Sequence, residues 1–151
     1  MATTTLIHFS GHQYLRHRLI LSILSGRPLR IEKIRSDDKN PGLRDFEISL
    51  LRLVEKVTNG TVIEISVTGV YILSASKNVY LFFLYVGTAI LLKPGIISGG
   101  PITHECPLSR SIGYFLEPII ILAPFAKKPL QLTLHGITTD EKDLSVRSPL
   151  F

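Results

Sequence analysis

The spacing of apolar residues along the chain predicts helices that alternate with strands. Three stretches carry apolar residues at helical spacing: 13–25, 43–57 and 110–125. Four shorter stretches alternate or are rich in β-prone residues, as strands do: 4–9, 29–34, 62–67 and 130–134. Strands that alternate with helices predict an α/β or α+β domain, in which the helices pack on a sheet.

Turn residues predict where these elements end. Asn40 is placed to cap the second helix and Pro41 suits its first turn. Pro118 lies inside the third helix and predicts a kink or a break there. Residues 93–101 are rich in proline and glycine and predict a loop, whereas residues 138–146 would suit the start of another helix.

The most apolar part of the chain is 70–92, where Lys77 is the only charged residue. Its uninterrupted apolar run, 79–92, has 14 residues, fewer than the roughly 20 that a membrane-spanning helix needs. A start at Gly69 that tolerates Lys77 and Asn78 would reach the required length. A small membrane protein anchored through 70–92 is therefore one hypothesis, although the first ten residues lack the basic region of a signal peptide.

Charge is distributed as unevenly as hydrophobicity. The chain has 151 residues, which fits one domain, with a net charge of +5 and a mean hydropathy of +0.29. Residues 14–56 hold ten basic and six acidic residues, and thus most of the positive excess. Such a zone attracts polyanions, because each neutralised phosphate releases counterions. A solvated face of mixed charge explains the same composition.

Few residues form a pattern typical of catalysis or metal binding. Cys106 is the single cysteine, which excludes an intrachain disulfide and a multi-cysteine zinc site. Gly95 and Gly99-Gly100 do not match the spacing of phosphate-binding loops. The consecutive residues 104–106 (His-Glu-Cys) do not face one point and make a poor catalytic pair. We therefore predict no catalytic residue, no metal site and no cofactor.

Several motifs, in order, resemble one known family. They are Leu24–Ile34 (LSGRPLRIEKI), Arg35–Leu43 (RSDDKNPGL), Val57–Gly60 (VTNG), Lys93–Gly100 (KPGIISGG) and Gly113–Phe125 (GYFLEPIIILAPF). Together they resemble the RNA 3′-terminal phosphate cyclase family and, more narrowly, its cyclase-like branch, a nucleolar ribosome-biogenesis factor. The resemblance extends from Phe9 to about Val146.

The resemblance implies an α/β (α+β) fold of repeated units, each with two helices packed on a four-stranded sheet, incomplete in this chain. It also implies a function in small-subunit rRNA processing, as a non-cyclising factor that binds RNA or protein. The expected partners are pre-rRNA, the small-subunit processome and a ribosome-biogenesis GTPase, and the expected location is the nucleolus. No membrane is expected unless the apolar segment anchors the chain.

Departures from the family pattern argue against cyclase activity. True cyclases resemble E-G-G-G-Q-I-L-R where Phe9–Arg16 reads F-S-G-H-Q-Y-L-R, so Phe9 replaces the acid and two glycines are absent. Cyclases also resemble K-P-G-L where this chain has Asn40 in place of the lysine. The nucleotidylated histidine of the family corresponds to a position beyond Phe151, so no catalytic residue carries over. An ATP-dependent cyclase remains the alternative.

The same resemblance divides the chain into four segments. Residues 1–69 correspond to the first part of the first unit, and 88–146 continue it. Residues 70–87 form an apolar insert of 18 residues that is foreign to the family, for which translated intron sequence is a hypothesis. Residues 147–151 form a divergent tail. We therefore expect the N-terminal part of a longer protein.

Basic residues in the first third are the predicted contacts to RNA or to a partner protein. The candidates are Arg16, Arg18, Arg35, Lys39 and Arg44. Three other basic residues, Arg27, Arg30 and Lys33, are expected to face solvent from a strand.

Overall fold

The computed structural model describes residues 5–66, 71–75, 78–82 and 87–146, with backbone alone for 71–75 and 78–82. Its α-helices are α1 (Leu15–Ser25), α2 (Asp45–Val57) and α3 (Ile112–Leu122), and a 3₁₀ turn (Ala123–Phe125) follows α3. Its strands are β1 (Ile7–Ser10), β2 (Leu29–Glu32), β3 (Thr58–Asn59), β4 (Val62–Ile65), β5 (Tyr71–Ala75), β6 (Asn78–Phe82), β7 (Ile90–Lys93), β8 (Ile96–Ile97), β9 (Gly100–Glu105) and β10 (Leu130–His135). The predicted mixed α/β class is confirmed.

The largest sheet has four strands in the order β1-β2-β7-β4. β1 and β2 run parallel and are joined through α1, whereas β7 runs antiparallel to both β2 and β4. Leu29 and Ile31 of β2 are buried beneath the helices, and Arg30 between them is exposed, as strand alternation requires. With α1 and α2, this sheet forms the unit of two helices on four strands that the resemblance implied.

A second strand–helix–strand arrangement, β9-α3-β10, repeats the order β1-α1-β2 of the first sheet. β9 and β10 pair in parallel from Gly100↔Leu130 to Glu105↔His135, and α3 connects them. α3 also packs against α1 and α2, which joins the two arrangements through one hydrophobic core. The core includes side chains with 1% exposure or less, among them Leu19, Ile31, Leu50, Leu92 and Phe115. Complete burial of one such side chain contributes about 1.5–3 kcal/mol.

The start of α2 differs from the prediction. Its N-cap is Arg44, not Asn40, because the carboxylate of Glu47 turns back and accepts a hydrogen bond from the Arg44 backbone N–H at 2.7 Å. This carboxylate satisfies a backbone donor that the first turn of a helix leaves unpaired. Asn40 lies in the preceding loop, where its carbonyl accepts a hydrogen bond from the Arg44 side chain at 2.9 Å.

Pro118 does not break α3, which runs unbroken from Ile112 to Leu122. A proline inside a helix removes the hydrogen bond to the carbonyl four residues earlier, here that of Tyr114. The guanidinium of Arg16 donates to this carbonyl at 3.3 Å. A side chain from α1 therefore replaces part of what the proline removes. The predicted break is wrong, and the alternative, a kink, stays a prediction.

The loop predicted at 93–101 and the helix start predicted at 138–146 also need correction. The segment 93–101 contains β8, which pairs with β3, and the first residues of β9, which the sequence analysis missed. The segment 138–146 forms bends and a turn and contains no helix. There the Asp140 carboxylate accepts backbone hydrogen bonds from Ser111, Lys142 and Asp143, which holds the segment against the start of α3.

The apolar segment contains strands. β5 and β6 form an antiparallel pair from Tyr71↔Phe82 to Ala75↔Asn78, and β7 follows. Ser66, which precedes the apolar segment, lies beside Ala89, and the Ser66 N–H donates a hydrogen bond to the Ala89 carbonyl at 2.9 Å. Among the described residues, no helix is both long enough and apolar enough to span a bilayer.

Candidate functional site

The carboxyl ends of β1 and β2 meet at one edge of the four-stranded sheet. The Gly11 N–H, just after β1, donates to the Glu32 carbonyl at the end of β2 at 2.8 Å. The chain then enters α1 after the first strand and the loop 33–44 that leads to α2 after the second. Ligands of α/β proteins bind at such edges, because the helices that start there direct free N–H groups and the positive ends of their dipoles outward.

The turn after β1 holds the residues that depart from the cyclase pattern. Gly11 has a φ of 78°, which explains why a glycine is kept at this position, and Tyr14 caps α1 with a φ of 55°. The Arg18 guanidinium stacks over the Phe9 ring at 4.6 Å and donates to the Gly11 carbonyl at 2.9 Å. Phe9 thus packs against a cation where true cyclases resemble a carboxylate.

Beside this turn, a cavity of about 370 Å³ lies between the starts of α1, α2 and α3. Three guanidiniums, those of Arg16, Arg35 and Arg110, line it together with the Tyr114 ring. Arg16 and Arg110 each lie over that ring at 4.5 Å. Burial raises the pKa of the Tyr114 hydroxyl above its usual value, so the phenol stays neutral at physiological pH.

Each of the three guanidiniums is paired with a carboxylate. Arg35 donates to both Glu47 oxygens at 2.7 and 2.8 Å, with side chains 11% and 4% exposed, and the bond to Glu47 raises the pKa of the guanidinium. A third bond from Arg35, to the Gly42 carbonyl at 3.2 Å, ties the loop to α2. Arg16 pairs with Glu117 at 2.5 Å. The cavity therefore contains organised but largely neutralised charge.

Sequence reasoning missed Arg110 as part of this site. Its guanidinium donates to both Asp143 oxygens at 2.6 and 2.5 Å, and the bonds to Asp143 raise its pKa. The neighbouring Asp140 keeps a pKa of about 2, because the backbone N–H bonds it accepts outweigh the opposing effect of burial. Arg110 and Asp143 lie 33 residues apart, and no periodic pattern predicts a contact across that distance.

The five predicted contact residues occupy different positions around this edge. Arg16 and Arg35 line the cavity. Arg18 lies on α1 and Lys39 lies in the loop 33–44 that leads to α2. No described carboxylate pairs with either side chain. Arg44 pairs with Asp38 at 3.7 Å. Arg27, Arg30 and Lys33 are exposed as expected, but only Arg30 lies in a strand, because β2 begins at Leu29 and ends at Glu32.

The His-Glu-Cys sequence lies elsewhere, on and after β9. His104 is buried, with its Nε2 atom 2.8 Å from the Ser49 hydroxyl and its Nδ1 atom 3.4 Å from the Lys56 ammonium. Cys106 belongs to the core, and burial raises the pKa of its thiol to about 11, which disfavours a nucleophilic thiolate. Within the described ranges, no three potential ligands of a metal ion lie together.

Comparison with known proteins places this geometry in a family. The family model described as RNA 3′-terminal phosphate cyclase matches residues 7–148. The rRNA processing protein rcl1 of Schizosaccharomyces pombe is 47% identical over 146 residues, which cover 97% of this chain and 35% of that protein. The human RNA 3′-terminal phosphate cyclase-like protein is 46% identical over 140 residues, which cover 93% of this chain and 33% of that protein. The chain thus spans about a third of the length of these relatives, and it belongs to the RNA 3′-terminal phosphate cyclase family.

Proposed function

We propose that this chain acts in ribosome biogenesis, as a non-cyclising factor in small-subunit rRNA processing that binds RNA at the carboxyl edge of β1 and β2. The names of the relatives support this, since those of S. pombe and Saccharomyces cerevisiae are called rRNA processing proteins and are each 47% identical to the chain. Its partners would be pre-rRNA, the small-subunit processome and a ribosome-biogenesis GTPase. Its location would be the nucleolus.

The observation that best supports the absence of cyclase activity is the stack of the Arg18 guanidinium on the Phe9 ring. Where true cyclases resemble a carboxylate followed by three glycines, this chain has an aromatic ring that is covered by its own guanidinium at 4.6 Å. The side chains of Ser10 and His12 occupy two of the glycine positions and are at least partly exposed. Side chains in such a turn keep the backbone from approaching a phosphate as closely as glycines allow.

Within this edge, Arg18 and Lys39 are the proposed phosphate contacts. Arg16, Arg35 and Arg44 each pair with a carboxylate, so a phosphate would have to displace an existing partner. Arg18 and Lys39 have no such partner among the described residues, and both flank the starts of α1 and α2. We assign Arg35 a positioning role instead, since it fixes the loop that carries Lys39.

RNA affinity as a function of salt concentration tests this assignment. Fluorescence anisotropy with a labelled segment of small-subunit pre-rRNA would compare Arg18→Ala and Lys39→Ala with Arg52→Ala. Arg52 is the matched control, because it is 54% exposed on α2 and pairs with Glu55. Each test variant should lower the slope of log affinity against log salt by about one unit. Equal losses in all three variants would contradict the assigned site.

A second assay separates this function from that of a cyclase. RNA with a labelled 3′-phosphate, incubated with ATP and the purified chain, should keep its open phosphate end. Formation of a 2′,3′-cyclic end would show that the altered turn still supports the reaction. In that case the ATP-dependent cyclase alternative would replace the proposal.

We also propose that residues 70–87 are an insertion into this family fold. The contact between Ser66 and Ala89 supports it, because β4 and β7 are already adjacent antiparallel strands where the segment departs and returns. Without the segment, Gly69 would precede Thr88 directly, as Gly87 does now. The remaining segments of the chain, 1–69 and 88–146, would then form one continuous domain, followed by the divergent tail 147–151.

A further inference from the structure

A tightly bonded segment follows the C-terminal end of α3. The chain leaves the 3₁₀ turn and runs as residues 126–129 into β10. The N–H groups of Lys127 and Lys128 donate to the carbonyls of Ile97 and Ser98, at 3.0 and 3.1 Å respectively. Backbone hydrogen bonds therefore fix this segment against the end of β8.

Gly99 lets the two segments approach closely. It has a φ of 74°, and a Cβ at this position would collide with the Lys128 carbonyl. Next to it, the Gly100 N–H donates to the Pro129 carbonyl at 3.0 Å. The segment 126–129 thus has a fixed backbone, and a ligand that binds its side chains has less disorder to remove.

This backbone presents one aromatic ring and two cations to solvent. Phe125 is 64% exposed, and Lys127 and Lys128 are both exposed. Two residues of chain span at most about 7 Å, so the ring and the first lysine start close together. Among the described residues, no carboxylate pairs with either lysine. We call Phe125, Lys127 and Lys128 the basic–aromatic corner.

The acidic residues on the neighbouring elements leave this corner positive. Glu55, in the second half of α2, pairs with Arg52, and Glu64 of β4 pairs with Lys93. Glu105 lies at the opposite end of β9 from the corner. The corner therefore keeps its positive charge and suits an anionic ligand.

We propose that the basic–aromatic corner is a second contact for RNA, in which Lys127 and Lys128 bind consecutive phosphates of a single strand and an unpaired base stacks on the Phe125 ring. Cations beside aromatic rings bind single strands in this way, because every base has a face that stacks. A duplex does not offer such a base, since its bases are already stacked and paired. The inference rests on the proposed function, because it extends the RNA beyond the β1/β2 edge.

The corner and the candidate site lie at opposite ends of α3. Arg110 and Tyr114, at the start of the helix, line the cavity beside the β1/β2 edge. α3 has 11 residues and the 3₁₀ turn has three, so the corner lies roughly 20 Å from that cavity. At about 3.4 Å per nucleotide, a strand of about 4 nucleotides is too short to reach both contacts, and one of about 16 is long enough. The longer strand should therefore bind more tightly.

Affinity as a function of RNA length tests the proposal. Fluorescence anisotropy would compare labelled oligoadenylates of about 4 and 16 nucleotides, and the purified chain should bind the longer one at least tenfold more tightly. The double variant Lys127→Ala, Lys128→Ala should lose this gain. Its slope of log affinity against log salt should fall by about 1.4 units, since each phosphate contact on a single strand contributes about 0.7. The matched control, Arg52→Ala, Lys142→Ala, removes two other exposed cations and should keep both the gain and the slope.

Variants of Phe125 test the stacked base. Phe125→Leu keeps an apolar side chain without the ring and should lower the affinity for the longer oligoadenylate about tenfold. Phe125→Tyr keeps the ring and should bind like the wild type. The melting temperature should change little in these variants, because the replaced side chain is exposed.

The outcomes distinguish failure of this inference from failure of the proposed function. A length gain lost in Arg18→Ala, Lys39→Ala but kept in Lys127→Ala, Lys128→Ala would overturn the inference alone. The reverse pattern would support the corner and overturn the assignment of the β1/β2 edge. Equal affinities of Phe125→Leu and the wild type would overturn the stacked base. Binding of oligoglutamate in place of either RNA would assign the corner to an acidic protein and overturn the inference.

Discussion

Replacement of Glu47 by alanine removes the group on which the loop before α2 depends. The Glu47 carboxylate accepts two hydrogen bonds from Arg35 and one from the backbone N–H of Arg44. With side chains 4% and 11% exposed, neither Glu47 nor Arg35 has easy access to water as a substitute partner. Alanine at this position leaves a buried guanidinium unpaired and the N-terminus of α2 without its cap.

The expected loss of stability follows from that burial. Removal of one partner of a buried ion pair costs about 3–5 kcal/mol, because the remaining charge is uncompensated. The lost cap interaction acts in the same direction. We therefore expect Glu47→Ala to lower the free energy of unfolding by about 4 kcal/mol, a large part of the 5–15 kcal/mol typical of a domain.

Urea denaturation followed by far-UV circular dichroism measures this change. Glu55→Ala is the matched control, since Glu55 pairs with Arg52 on the same helix with much greater exposure, and its removal should cost about 0.5 kcal/mol or less. The double variant Arg35→Met, Glu47→Leu should recover most of the lost stability, because it removes both charges and keeps apolar volume. A Glu47→Ala loss no larger than that of Glu55→Ala would show that the Arg35–Glu47 pair and the α2 cap contribute little stability.

Three further predictions address other parts of the fold. Deletion of 70–87 shortens the connection between Ser66 and Ala89 from 22 to 4 residues. The variant should still fold, and its free energy of unfolding should rise by up to about 1.5 kcal/mol, because the shorter loop loses less entropy on closure. A variant that is unfolded at the start of a urea titration would contradict the proposal that 70–87 is an insertion. Gly99→Ala should lower the melting temperature more than Gly100→Ala. Both glycines have a positive φ, but a Cβ at position 99 would also collide with the Lys128 backbone carbonyl. Equal decreases in melting temperature would argue against that close approach. Burial lowers the pKa of His104, so the unfolded chain binds the proton more readily than the folded chain, and the free energy of unfolding should fall as pH drops below about 6.5. His104→Gln should reduce this dependence of stability on pH. An unchanged dependence in His104→Gln would indicate that the ring is accessible to water.

The three helices and four of the strands, β1, β2, β4 and β10, could be predicted from local pattern. The apolar spacing of α1 and α2 survives folding because each helix buries one face against the core. β9 was missed because Gly100 and Pro101 at its start suggest a loop, although parallel pairing with β10 extends the backbone there. The carbonyl that Pro118 leaves without a donor in α3 accepts a hydrogen bond from Arg16, which lies 98 residues away in the sequence.

The sequence predicts the location of the candidate site better than the contacts that its side chains make. The sequence motifs indicated the turn at Phe9–Arg16 and its departure from the cyclase pattern, and the structure adds that Arg18 covers Phe9. Local sequence does not reveal that Arg35 pairs with Glu47 or that Arg110 joins the cavity, because these contacts bring together separate elements. The structure thus separates the predicted contact residues that pair with a carboxylate from those that do not. The sequence pattern alone could not make that distinction.

Ultraviolet cross-linking in cells, followed by sequencing of the RNA bound to this chain, tests whether the β1/β2 edge binds rRNA. Small-subunit pre-rRNA should be enriched with the wild-type chain and with Arg52→Ala, and the enrichment should be lost with the double variant Arg18→Ala, Lys39→Ala. The absence of pre-rRNA from the cross-linked RNA, or its equal recovery with all three proteins, would contradict the claim that the β1/β2 edge binds rRNA.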